Sequence, residues 1–98
     1  MSRIVMKFGG TSVGSVERIN HVAEIVRSEV EAKNQVVVVL SAMAGETDRL
    51  VNLTKDLSKD FPTSEYDVVI SSGEQVSIGA LSGLLNSSGI KSQSLLGW

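Results

Sequence analysis

The chain has 98 residues, enough for one small domain and too few for two. Nine basic residues, scattered from Arg3 to Lys91, against eleven acidic ones leave a net charge of -2, which gives no electrostatic footprint for nucleic acid or an anionic membrane. Cysteine is absent, excluding disulfides and thiolate metal sites, and with 42% apolar but only 4% aromatic residues the core must be aliphatic.

Arg3–Phe8 reads as a short strand stopped by Gly9-Gly10. Its Ile4-Val5-Met6 run is too short for a signal peptide or a membrane span, so a cytoplasmic protein is expected. Thr11 or Ser12 can cap a following helix. Val16, Ile19, Val22, Val26 and Val30 then recur at helical steps and predict a helix near Ser15–Lys33. After Asn34, the unbroken run Val36–Leu40 predicts a strand buried on both faces, as in a parallel sheet. A second helix is expected from about Thr47 to Ser58, with Leu50, Leu53 and Leu57 on one side. A third is expected from about Glu65 to Ser87, with Val69, Val76, Ala80, Leu84 and Leu85 inward. Ser72-Gly73 can split that helix, and Gly79, Ala80 and Gly83 leave room for close packing. Ile90–Leu96 reads as a third strand, and the terminal Trp98 carries no signal. The order β-α-β-α-α-β is an α/β pattern with right-handed crossovers, and little of the chain is left to cover the sheet's far face or edge.

Ligands of open α/β sheets sit beyond the carboxyl ends of the strands. Three polar segments fall there or can reach it. In Lys7-Phe8-Gly9-Gly10-Thr11-Ser12-Val13 the glycine pair lets a phosphate approach the backbone, a following helix offers N–H groups, and Lys7 adds a charge. The lysine precedes the glycines, so this is no Walker A loop; a plain strand-to-helix turn is the competing reading. In Ser41-Ala42-Met43-Ala44-Gly45-Glu46-Thr47-Asp48 the hydroxyls of Ser41 and Thr47 can bind a small carboxylate, or Thr47 simply caps a helix. In Ser71–Ser77, Glu74 either opens a helix after a glycine break, stabilised by the dipole, or faces a substrate ammonium group. His21 has no partner at metal-ligand spacing. Glu46 and Asp48 are not assigned to magnesium, which in phosphoryl transfer is held largely by nucleotide and water.

These three segments, in this order, resemble the aspartate kinases. Lys-Phe-Gly-Gly-Thr-Ser-Val at 7–13 is similar to that family's opening signature. Ser-Ala-Met-Ala-Gly-Glu-Thr-Asp at 41–48 and Ser-Gly-Glu-Gln-Val-Ser at 72–77 are similar to its second and third site segments. The wider amino-acid kinase superfamily shares the lysine and glycines but not the full set. The resemblance implies the amino-terminal part of a three-layer α/β/α kinase domain with a mostly parallel sheet. It implies transfer of the γ-phosphoryl group of MgATP to the β-carboxylate of L-aspartate, at the head of lysine, threonine and methionine synthesis. Lys7 is then the catalytic cation. Gly9, Gly10, Thr11 and Ser12 are phosphate-binding, and Ser41, Thr47 and Glu74 hold aspartate, with Glu74 facing its ammonium group. ATP enters with Mg2+ as a substrate complex, no tightly bound cofactor is expected, and the full-length parent is expected to be a homo-oligomer.

The implied chemistry suits this inventory, because a β-carboxylate with a pKa of about 3.9 is already an ionised nucleophile and needs no general base. Positioning and charge compensation are what remain to be supplied. Ala44 and Asp48 stand where the family often has glycine and asparagine. The family's adenine and ribose contacts, its second glycine-rich phosphate segment, an aspartate-holding arginine and its regulatory ACT domains are expected beyond residue 98. The 98 residues alone are therefore expected to be an incomplete catalytic domain without kinase activity. The rival readings are a kinase for another carboxylate, such as an acylated glutamate, and a non-catalytic interaction module.

Overall fold

The computed structural model describes residues 1–97; Trp98 lies outside them. Strand β1 (Arg3–Phe8) leads through a 3-10 turn (Gly10–Val13) into helix α1 (Val16–Glu31). Strand β2 (Gln35–Leu40), helix α2 (Glu46–Leu57) and helix α3 (Thr63–Ser87) follow. The strands pair in parallel, from Arg3 opposite Gln35 to Phe8 opposite Leu40. This is the expected α/β order up to α3.

Neither predicted hydroxyl caps the first helix: the 3-10 turn intervenes, and the Ser15 hydroxyl accepts the Arg18 N–H at 3.2 Å. From there Ile19, Val22, Ala23 and Val26 form the buried stripe of α1. Val16, in the first turn, is 77% exposed, against the expectation. The α1 stripe joins Val13, Leu40, Leu81 and Leu85 in one aliphatic core, with Phe8, Val36 and Val38 packed against it. Each fully buried aliphatic side chain of this kind contributes about 1.5–3 kcal/mol.

Burial alternates along β2, which corrects the expectation of a strand buried on both faces. Val36, Val38 and Leu40 turn to the helices, whereas Val37 and Val39 are 48% and 46% exposed, as is Val5 at 67% on β1. The core formed by α1 and α3 lies on one side of the sheet, so only alternate residues reach it.

Helix α3 is unbroken at Ser72-Gly73. Its buried residues are Gly73, Ser77, Leu81 and Leu85, a strict four-residue stripe. Of the five positions expected inward only Leu85 is buried; Val76 is 56% exposed. The helix is apolar on most sides, so its period does not select a face. The stripe is set by where small residues admit a neighbour. A Cβ added at Gly73 would stand 3.1 Å from the Ala42 Cβ and 3.3 Å from Glu46 Cγ and Leu50 Cδ1, whereas nothing lies within 4 Å of such a carbon at Gly79 or Gly83. By length and composition α3 could cross a membrane; here its stripe packs into the core instead. In α2, Leu50 and Thr54 are buried, while Leu53 and Leu57 remain 45% and 67% exposed.

Residues 90–97 form no strand, correcting the expectation of a third strand at Ile90–Leu96. Their start is tied back to α3: the Ser92 N–H donates to Asn86 Oδ1 at 2.9 Å, Asn86 Nδ2 donates to the Ser92 carbonyl at 3.0 Å, and the Ser82 and Ser92 hydroxyls lie 3.0 Å apart. A groove of about 1280 Å³ separates this segment from β2, with Val36, Val38, Ser71, Glu74 and Leu95 among its walls.

Candidate active site

The three polar segments meet at the carboxyl ends of β1 and β2, and the backbone brings them there. The parallel ladder extends one step past the strands, with the Ser41 N–H donating to the Phe8 carbonyl at 3.1 Å. The Ala44 N–H donates to the Gly10 carbonyl at 3.0 Å, so the second loop crosses the first. The Ser77 hydroxyl, on α3, donates to the Ser41 carbonyl at 2.7 Å.

Lys7 is exposed at the penultimate position of β1, opposite Val39. The two ion pairs among the described residues, Arg27–Glu31 and Glu46–Arg49, do not involve it. The glycines that follow have different surroundings. Gly9 has φ -78° and ψ 176°, and nothing lies within 4 Å of where its Cβ would stand. At Gly10 a Cβ would meet the Ala42 carbonyl oxygen at 2.8 Å. Gly10 is therefore demanded by loop packing, and Gly9 is the position open to an approaching ligand. Thr11 is exposed and Ser12 half-buried inside the 3-10 turn, where the Ser12 N–H is committed to the Gly9 carbonyl at 3.1 Å. Helix α1 begins only at Val16, so its free N–H groups do not follow the glycines directly, which corrects the expectation of a helix start there.

Ser41 is half-buried, and among the described residues its hydroxyl makes no hydrogen bond. Thr47 is exposed in the first turn of α2 and does not cap it; Gly45 stands at the cap with φ 81°, a left-handed conformation that suits a residue without a side chain. Glu74 is exposed in the middle of α3, so the helix-start explanation for its carboxylate falls away. It lies between Gly73 and Ser77, both of which pack α3 against the second loop, and it lines the groove beside β2.

Sequence reasoning passed over two features. Arg49 binds Glu46 from one helical turn away, and the hydrogen bond from its guanidinium holds the Glu46 carboxyl below its ordinary value, with burial opposing and the positive charge assisting. Ser77 is fully buried, and its role depends on a carbonyl 36 residues away, which no local pattern announces. The four-residue series Gly73, Ser77, Leu81, Leu85 was the available signal. Among the described residues no group of three or more His, Cys, Asp or Glu is placed to hold a metal ion.

A parallel strand pair with its polar loops gathered at the carboxyl end defines an α/β fold, and this chain belongs to the amino acid kinase family, whose model matches residues 2–98. Within that family its similarity is to aspartate kinases. It is 55% identical over 98 residues to an aspartokinase of Geobacillus stearothermophilus, covering 100% of this chain and 24% of that one. It is 50% identical over 97 residues to an aspartate kinase of Pseudomonas putida, covering 99% and 24%. The crystal structure of aspartate kinase from Synechocystis superimposes with a TM-score of 0.85 at 48% identity, over 89% of this chain and 15% of that one. The chain thus spans about a quarter of the length of these curated relatives.

Proposed function

We infer that residues 1–98 are the amino-terminal part of an aspartate kinase catalytic domain, which transfers the γ-phosphoryl group of MgATP to the β-carboxylate of L-aspartate and yields 4-phospho-L-aspartate. The observation that carries this reading is the triple junction at the strand ends: Phe8 to Ser41, Gly10 to Ala44 and Ser77 to Ser41. It gathers a cation, an open backbone and a set of hydroxyl and carboxylate groups, while the chemistry requires charge compensation and alignment and no general base.

In this reading Lys7 neutralises charge growing on the transferred phosphoryl oxygens. Gly9 admits the phosphates to the backbone, Gly10 holds the second loop against that point, and Thr11 and Ser12 complete the phosphate-side turn. Ser41 and Thr47 bind the substrate's carboxylates, and Glu74 pairs with its ammonium group. Mg2+ arrives with the nucleotide. The parent is a cytoplasmic homo-oligomer serving synthesis of lysine, threonine and methionine, and the 98 residues by themselves have negligible turnover.

The test is a chimaera in which residues 1–98 replace the matching segment of the Geobacillus stearothermophilus enzyme. Aspartate-dependent ADP formation is expected, and Lys7→Ala should lower kcat by roughly 100-fold or more. Lys7 is exposed, so the melting temperature should hold. A folded chimaera that ignores aspartate, or a Lys7→Ala chimaera with full activity, refutes the assignment.

A further inference from the structure

We propose that Ser77 is a positioning residue for substrate selection, fixing the Ser41 hydroxyl through the backbone of the second loop; this rests on the aspartate kinase reading above. Ser41 is held on both sides of its α-carbon. Its N–H donates to the Phe8 carbonyl at 3.1 Å, and its carbonyl accepts the Ser77 hydroxyl at 2.7 Å. With both flanking peptide planes tied, one to β1 and the other to α3, the direction of the Ser41 Cα–Cβ bond is set by the fold, and its hydroxyl is confined to the three staggered positions about that bond. That side chain makes no hydrogen bond among the described residues and remains available to a ligand.

Ser77 is 0% exposed, and its hydroxyl also reaches the Glu74 carbonyl at 3.1 Å. A serine that served only its own helix would make that second bond alone, as Ser71 and Ser72 do with the carbonyls of Val68 and Val69. The shorter bond leaves the helix and crosses to the loop. One turn earlier, Gly73 permits Ala42 and Glu46 to close on α3, bringing the Ser41 carbonyl within reach. The same contact ties the Ser41 backbone to the turn of α3 that carries Glu74, the residues assigned to the carboxylate and ammonium groups of aspartate. Loss of the Ser77 hydroxyl leaves a carbonyl without its partner and frees one of the two peptide planes.

The chimaera provides the experiment. Ser77→Ala is expected to raise the KM for aspartate about tenfold, with the KM for ATP and kcat within about twofold of the parent. Ser77→Cys, which fills the same space with a weak donor, is expected to reproduce the shift and carries the test should the alanine chain fail to accumulate. In a Ser41→Ala background, Ser77→Ala should add less than about twofold, because the group it positions is already gone. A fall in kcat or melting temperature with aspartate KM unchanged overturns the positioning role, as does a full tenfold effect in the Ser41→Ala background. An unchanged aspartate KM in Ser41→Ala alone overturns the underlying assignment, and so separates that failure from the failure of Ser77.

Discussion

Gly9 and Gly10 are adjacent and identical in chemistry, yet a methyl group should be tolerated at one and rejected at the other. In Gly10→Ala the new carbon would stand 2.8 Å from the Ala42 carbonyl oxygen, 3.4 Å from the Ala44 nitrogen and 3.5 Å from its α-carbon. All three are backbone atoms, and the Ala44 N–H is bonded to the Gly10 carbonyl, so no side chain can swing aside to relieve the contact. Overpacking of this kind costs about 1–3 kcal/mol. In a domain of this size each kcal/mol lowers the melting temperature by about 4–8 °C, so a mid-range cost of about 2 kcal/mol means a fall of about 8–16 °C. Gly9→Ala meets nothing within 4 Å, and its φ of -78° is open to any residue, so stability should change by no more than about 0.5 kcal/mol. Thermal melts of the two variants, followed by circular dichroism, compare them directly. Equal melting temperatures for both variants would refute the division of labour between the glycines. In the chimaera, Gly9→Ala should raise the KM for ATP while leaving the melting temperature in place.

The Glu46 carboxyl titrates below its ordinary value of 4.5 because Arg49 hydrogen-bonds it, so the pair's contribution to stability is present above pH 4.5 and is lost as pH falls through the lowered folded value. Arg49→Ala should bring the Glu46 midpoint back up towards 4.5 in a carboxyl-carbon NMR titration; an unmoved midpoint would contradict the assigned cause. The bare side of the sheet carries Val5, Val37 and Val39, and both strands have a free edge, so the isolated chain should self-associate. Val37→Lys together with Val39→Lys should shift sedimentation towards the monomer, and a monodisperse parent would remove the basis for this expectation.

The two strands, the three helices and the three polar segments near the strand ends were legible because their signals are local. A valine run, a glycine pair and a helical period each depend on neighbours within a few residues. What the run at Val36–Val39 did not carry is how many of its sides are covered, since coverage depends on distant helices. Helix α3 was legible in extent, but its inward face was not: Val69, Val76 and Leu84 advertise burial by hydropathy, while the fold buries Gly73 and Ser77 because they are small. The segment at 90–96 has the composition of a strand, and the Asn86–Ser92 bonds that hold its beginning to α3 involve no apolar pattern at all. At the site, residue types were readable and the work of each glycine was not. Gly9 and Gly10 differ only in what another loop does beside them.

Helix α3 runs for 25 residues, roughly 37 Å at 1.5 Å per residue, and carries Glu74 and Ser77 near its middle and Leu81 and Leu85 further along the same rod. A stiff rod transmits displacement along its length. Shortening Val22 or Val26 in α1 to alanine, where both share a core with Leu81 and Leu85, should therefore tilt the rod and, in the chimaera, register as altered aspartate affinity as well as lost stability. Variation deep in the aliphatic interior would then tune substrate preference without touching any residue that meets the substrate.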